Sequence, residues 1–274
     1  MKALHKFLTT AVVGALALHG NANALAQNAA ATTYAPTVGQ SGKDVVWVPT
    51  PQALVDRMLD MAALTPEDRL VDLGSGDGRT VITAAQRGAT ARGIEFNPDM
   101  VALARRAASE AGVTDRAQFE QGDIFKSDFS DATVVTLFLL PALNVKLRPT
   151  LLDMKPGTRI VSNSFTMGDW QPDETVQAQQ ECSAYCSAYK WVVPAKAAGT
   201  WQMQDKELVL EQSFQMLSGS LRDGSTATPI TDGRLDGDKI RFTVGADRYT
   251  GQVSGGQMRG TIDGKASWTA SRAP

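Results

Sequence analysis

From residue 69 onward the chain alternates short apolar runs with stretches of helical period. Residues 69–73, 91–95, 117–120, 133–139 and 159–164 each read as a buried strand. Between them, residues 80–87, 97–111 and 141–154 are spaced as helices, the first two closed by Gly88 and Gly112. Strands joined by helical crossovers predict a parallel, doubly wound α/β sheet. An earlier helix is predicted by Leu54, Val55, Met58, Leu59 and Ala62, with Thr50 as its N-cap and Pro51 at its first position.

The pattern changes near residue 196. Eleven of the 24 glycines fall between Gly199 and Gly264, many in turn-like pairs such as Asp223-Gly224, Asp236-Gly237 and Gly255-Gly256. Between them, residues 207–216, 239–244, 248–253 and 266–270 alternate with strand period. These predict a small all-β module over 197–274, arranged as an antiparallel meander. Two roles are open to it: a surface for a substrate, partner or envelope, or a cap on the edge of the first sheet.

Composition adds an address. Lys2 and Lys6 precede an apolar run, Phe7 to Leu18, that is short for a membrane span, and Ala22-Asn-Ala24 and Ala24-Leu-Ala26 follow as small-residue cleavage patterns. Residues 1–26 are therefore expected to be a signal peptide and the protein to be exported, to a bacterial periplasm or beyond. Residues 27–44, rich in Ala, Thr and Gln, are expected to form a flexible N-terminus. Removing 26 residues, two of them basic, leaves 248 with a net charge of −4 and no histidine, because His5 and His19 both lie in the leader. Histidine-based catalysis and metal ligation are thereby excluded. No basic block offers a footprint for nucleic acid. Cys182 and Cys186 cannot complete a zinc site by themselves, so no metal is expected; they read either as a disulfide or as two structural thiols.

The chemistry concentrates in Asp72-Leu-Gly74-Ser75-Gly76-Asp-Gly78, which follows a strand and opens a helix. Glycines permit the sharp turn and let a ligand approach the main chain. Glu95 ends the second strand, where a carboxylate can accept from both hydroxyls of a ribose, and Asp123 follows the third, where it can meet an adenine amino group. All three acids stand at carboxyl ends of strands, where open α/β sheets bind ligands. A dinucleotide fingerprint would place its third glycine one residue later, and Asp72 and Asp77 crowd the turn with charge that a pyrophosphate disfavours.

These residues resemble the first motif and the ribose- and adenine-binding acids of class I S-adenosylmethionine-dependent methyltransferases. Further stretches, Val48-Pro-Thr-Pro51, residues 133–141, Leu147-Arg-Pro149 and Phe165-Thr-Met-Gly-Asp-Trp170, are similar to lysine methyltransferases of the adenine nucleotide translocase and of the ATP synthase c-ring protein, and to archaeal broad-specificity ones. The resemblance implies a Rossmann-like methyltransferase domain over 45–196 that uses S-adenosylmethionine. It implies cofactor contacts from Asp72, Gly74, Ser75, Gly76, Gly78, Glu95, Phe96, Asp123 and Ile124. The acceptor side would be formed from Thr50, Phe138, Pro141 and Trp170, with Trp47 and Trp170 either boxing an alkylammonium group or packing a loop. The implied reaction is methyl transfer to an amine such as a protein lysine. A small-metabolite acceptor, or an exported binding scaffold without turnover, are the other readings. The intact set of three acids argues against the scaffold, which has no need of it.

Overall fold

The computed structural model describes Met1, residues 34–178 and residues 182–273; the expected leader lies outside the described residues apart from Met1, as do residues 27–33. Five parallel strands, β1 (Arg69–Leu73), β2 (Thr90–Glu95), β3 (Ala117–Gln121), β4 (Val134–Leu137) and β5 (Arg159–Asn163), stand in the order β3-β2-β1-β4-β5. Side chains of the central strands β1, β4 and β5 alternate between two cores and are buried almost throughout, whereas β2 and β3 toward the edge carry exposed or half-buried polar residues between buried ones. Leu70, Val134 and Val161 pack on one face with helices α1 (Gln52–Met61), α2 (Arg79–Gln86) and α3 (Pro98–Glu110). Val71, Val135 and Ile160 pack on the other with α4 (Pro141–Leu152).

The sheet is mixed rather than wholly parallel. A hairpin of β6 (Glu174–Gln177) and β7 (Ser187–Val192) extends it, with β7 antiparallel to β5 and β6 at the edge. The sequence hid β6 because an exposed edge strand, Glu-Thr-Val-Gln, needs no apolar run. A disulfide joins Cys182 to Cys186 in the connection between these strands. Thr50 does not cap α1; Pro51 takes that place without a side-chain bond, and Thr50 Oγ1 instead accepts from Asn163 Nδ2 at 3.1 Å.

The glycine-rich half closes on itself. Eight strands, β8 (Gly199–Met203), β9 (Lys206–Ser213), β10 (Met216–Asp223), β11 (Thr226–Asp236), β12 (Lys239–Val244), β13 (Asp247–Ser254), β14 (Gln257–Ile262) and β15 (Ala266–Arg272), pair in sequence order, and β15 returns to β8 through Ser271 and Arg272. Closure removes the exposed edges that an open meander would leave. Side chains fill the interior: Trp201, Phe242, Tyr249 and Trp268 are buried there, the Phe242 and Tyr249 rings stacked at 4.8 Å. Tight curvature explains two of the glycines, since a Cβ at Gly219 or Gly260 would lie 1.9 Å from a carbonyl oxygen of the neighbouring strand.

Trp170 joins barrel to sheet. Fully buried, it stacks on Phe214 with centroids 5.8 Å apart and donates from Nε1 to Gln215 Oε1 at 2.9 Å. Arg234 adds an ion pair to Asp173 at 2.5 Å. Trp170→Ala is therefore expected to cost about 3–5 kcal/mol, read as a lower denaturant midpoint. An unchanged midpoint would show that the barrel does not depend on this contact.

Candidate active site

The carboxyl ends of β1 to β4 surround a cavity of about 510 Å³, within the size range of small-molecule sites. Asp72, Gly74, Ser75 and Gly76 reach it from β1, Glu95 and Phe96 from β2, Asp123 and Ile124 from the turn after β3, and Phe138 from β4. The β1–α2 turn runs through left-handed backbone at Gly74, Gly76 and Gly78, with φ of 81°, 53° and 84°. Glu95 fixes this turn to its own. Its Oε2 accepts from Gly76 N at 3.0 Å and its Oε1 from Asn97 N at 2.9 Å. Each oxygen keeps a second lone pair for a further donor.

Residues 39–47, most of them expected to be flexible, fold instead into a small hairpin beside the cavity, tied by bonds from Gly39 N to Trp47 O and from Trp47 N to Gln40 O. Lys43 at its tip pairs with Asp123 Oδ2 at 2.9 Å and sits 5.1 Å from the Phe96 ring centroid. That hydrogen bond holds the Asp123 carboxyl below its ordinary range and raises the Lys43 ammonium. Arg79 secures the segment that follows, donating to Thr50 O at 2.8 Å while pairing with Asp77 at 2.6 Å.

Asp72 behaves differently. Burial, with smaller contributions from the charges of Glu95 and Asp77, raises its pKa to about 7 against the opposing hydrogen bond from Thr136 Oγ1 at 2.6 Å.

Three expected site residues lie elsewhere. Gly78 is the N-cap of α2 and faces Phe119 and Ala104, so it serves the turn rather than the cavity. Pro141 is exposed at the first position of α4, one residue beyond the lining residue Leu140. Trp170 is held by the barrel, and no Trp47–Trp170 box forms: Trp47 lies over the glycine turn, where a Cβ on Gly76 would come 2.7 Å from its Nε1. The sequence pattern did not single out Lys43, Phe165 or Tyr185 as site residues, yet all three line the cavity. Phe165 stands in one of the family-like stretches, and Tyr185 between the two cysteines.

Comparison with known proteins supplies the family. Residues 72–174 match the family model described as the ANTKMT methyltransferase domain, a match that ends before the barrel begins. The chain is 43% identical over 138 residues to a protein-lysine N-methyltransferase of Saccharolobus islandicus, covering 49% of this chain and 86% of that protein. The chain belongs to the protein-lysine N-methyltransferase family. It is 40% identical to the mouse adenine nucleotide translocase lysine N-methyltransferase, over 38% of this chain and only 46% of the mouse protein. A crystal structure described as an RNA methyltransferase from Salinibacter ruber, in complex with S-adenosyl-L-homocysteine, shares 51% identity with a TM-score of 0.52, covering 55% of this chain and 96% of that one. The protein is thus an S-adenosylmethionine-dependent methyltransferase, and its cavity fits that cofactor. Glu95 has acceptor capacity for two ribose hydroxyls, the glycine turn leaves main chain open to close approach, and Asp72 can oppose an ammonium group.

A carboxyl whose pKa rises on folding, from 3.8 to about 7, keeps its proton in the native state where the unfolded chain has lost it. Stability therefore falls as pH rises through that interval. Asp72→Asn is expected to flatten this fall between about pH 4 and 7, measured as the urea midpoint against pH. Identical profiles for both proteins would show that Asp72 titrates normally.

Proposed function

We propose that this methyltransferase transfers a methyl group to the amine of a protein lysine. The carrying observation is the contrast between two flanks of one cavity. Around β1 to β3 it is lined by carboxylates; on the β4–β5 flank, Thr50, Leu139, Leu140, Leu143 and Phe165 supply no charge. An uncharged flank suits an aliphatic amine, and the lysine methyltransferases among the relatives support that acceptor.

In this reading Glu95 holds the ribose, Phe96, Asp123 and Ile124 hold the adenine, and Asp72, Gly74, Ser75 and Gly76 hold the amino-acid portion. The cofactor's contribution is a methyl group on a sulfonium centre, open to in-line displacement. The residues around the acceptor exclude water and orient the amine. A lysine is neutral only about once in 10³ to 10⁴ molecules at pH 7, and apolar surroundings raise that fraction. Positioning and desolvation then replace a dedicated histidine base, which no residue after His19 can supply.

The test is transfer of labelled methyl from S-adenosylmethionine to protein lysines, small amines and RNA offered separately. Labelled protein lysine is the expected result, with S-adenosylhomocysteine binding weakened roughly 10- to 100-fold in Glu95→Gln. Turnover on small amines alone would assign a metabolite enzyme, and turnover on RNA would assign the acceptor named for the Salinibacter protein. Cofactor binding without any turnover would favour a scaffold.

We further propose that the protein is exported. The leader pattern of residues 1–26 supports this, as does the Cys182–Cys186 disulfide, since disulfides persist in oxidising compartments. The intact mass of the periplasmic protein is expected to correspond to a chain starting at Gln27. A full-length chain confined to the cytosol would overturn export.

A further inference from the structure

Across β1 from Glu95 and Asp123, three aromatic rings meet at the cavity. Phe138, just after β4, and Phe165, just after β5, lie with centroids 6.2 Å apart and planes inclined by 24°. Tyr185 completes the group at 5.3 Å from Phe138 and 6.1 Å from Phe165, its ring tilted by 63° and 56° to theirs. It belongs to the five-residue loop closed by the Cys182–Cys186 disulfide, and its backbone is left-handed, with φ of 58°. Few non-glycine residues adopt that conformation, so the loop must hold it. Despite touching two rings, Tyr185 remains 44% exposed, and all three rings line the cavity.

Aromatic faces attract cations, and most strongly those that water holds weakly. Each methyl added to an ammonium group removes an N–H donor and weakens its hydration. On this flank the described lining residues offer no carboxylate to reward a bare ammonium. We infer that Phe138, Phe165 and Tyr185 form a subsite for alkylated ammonium, with the disulfide loop presenting Tyr185 as its outer wall. Each round starts from the neutral amine, whose proton has gone to water. As the N–C bond forms and the C–S bond breaks, the rings stabilise the positive charge appearing on nitrogen, so the enzyme accepts mono- and dimethyl-lysine at least as readily as lysine and carries its acceptor to the higher methylation states. The product distribution rests on the lysine reading above; the ammonium subsite does not.

Two measurements separate them. The first, on protein saturated with S-adenosylhomocysteine, compares choline with its uncharged isostere 3,3-dimethylbutan-1-ol by ligand-observed NMR. Choline is expected to bind, the alcohol much more weakly, and Tyr185→Ala to weaken choline about 5- to 30-fold while Tyr185→Phe retains it. Equal binding of the two probes, or choline binding indifferent to Tyr185→Ala, overturns the subsite. The second follows a lysine peptide by mass spectrometry. Tyr185→Ala is expected to raise the KM for dimethyl-lysine and to leave products at the monomethyl stage, with S-adenosylhomocysteine affinity intact as the check on folding. The double variant Cys182→Ser/Cys186→Ser is expected to follow Tyr185→Ala, because it frees the loop. Unchanged KM and product distribution in Tyr185→Ala overturn the inference. Tyr185-dependent choline binding with no transfer to any lysine supports the subsite and overturns the lysine acceptor.

Discussion

Two backbone amides converge on one carboxylate. Glu95 accepts from Gly76 in the β1–α2 turn and from Asn97 at the start of α3, so a single side chain sets the spacing of two adjacent strand–helix turns. Those turns carry the glycines that open the main chain and the strand end that bears Phe96. A glutamine could accept from only one of the two amides through its carbonyl, and its NH₂ would face the other donor. The demand for an acceptor-only group thus comes from the protein's own amides before any ribose is considered. The proposed ribose contact asks for the same residue.

A second constraint is the charge gathered around the cavity. Asp72, Asp77, Glu95 and Asp123 all border it, and each is managed differently. Asp77 is paired by Arg79 and Asp123 by Lys43, while Asp72 is buried with only a threonine hydroxyl as its side-chain donor. Because both cations also serve the chain segment before α1, neutralising the acids and closing the site are one event. Lys43 brings the 39–47 hairpin to Asp123, and Arg79 fastens Thr50 O beside the uncharged flank. Neither Asp72 nor Glu95 has a cation among the described residues, but Glu95 takes two backbone amides where Asp72 has a single hydroxyl, which leaves Asp72 the less satisfied of the two.

Much of this was legible in the sequence, for identifiable reasons. β1, β4 and β5 are buried on both faces over most of their length, so their apolar residues declare them, and β2 and β3 show through the helices and glycine stops beside them; the glycine turn and the acids at strand ends follow from the fold's crossing geometry. β6, exposed at an edge, carries no such pattern. Barrel closure was also hidden, since β10 and β14 place few apolar residues inward and β15 returns to β8, the strand most distant from it in the barrel's sequence. Trp170 was misjudged because burial of a tryptophan against a second domain and exposure of one in an aromatic site look alike in sequence. Its own motif already held the ring that does reach the cavity, Phe165.

That motif shows what the barrel contributes to the site. Residues 163–173 are held at every step by something different. Asn163 donates to Thr50, and Asn144 of α4 donates to the carbonyls of Phe165 and Thr166. Arg148 donates to the carbonyl of Met167, and then Trp170, Gln171 and Asp173 are taken by Phe214, Gln215 and Arg234 of the barrel. Phe165 therefore sits on a short segment clamped by the sheet at one end and by the barrel at the other. A loop of this length between two strands would ordinarily be mobile. Fixing it lets the Phe165 ring keep its distance from Phe138 and Tyr185, so a closed and internally filled module that gives no residue to the cavity lining acts on the uncharged flank through a backbone it holds still.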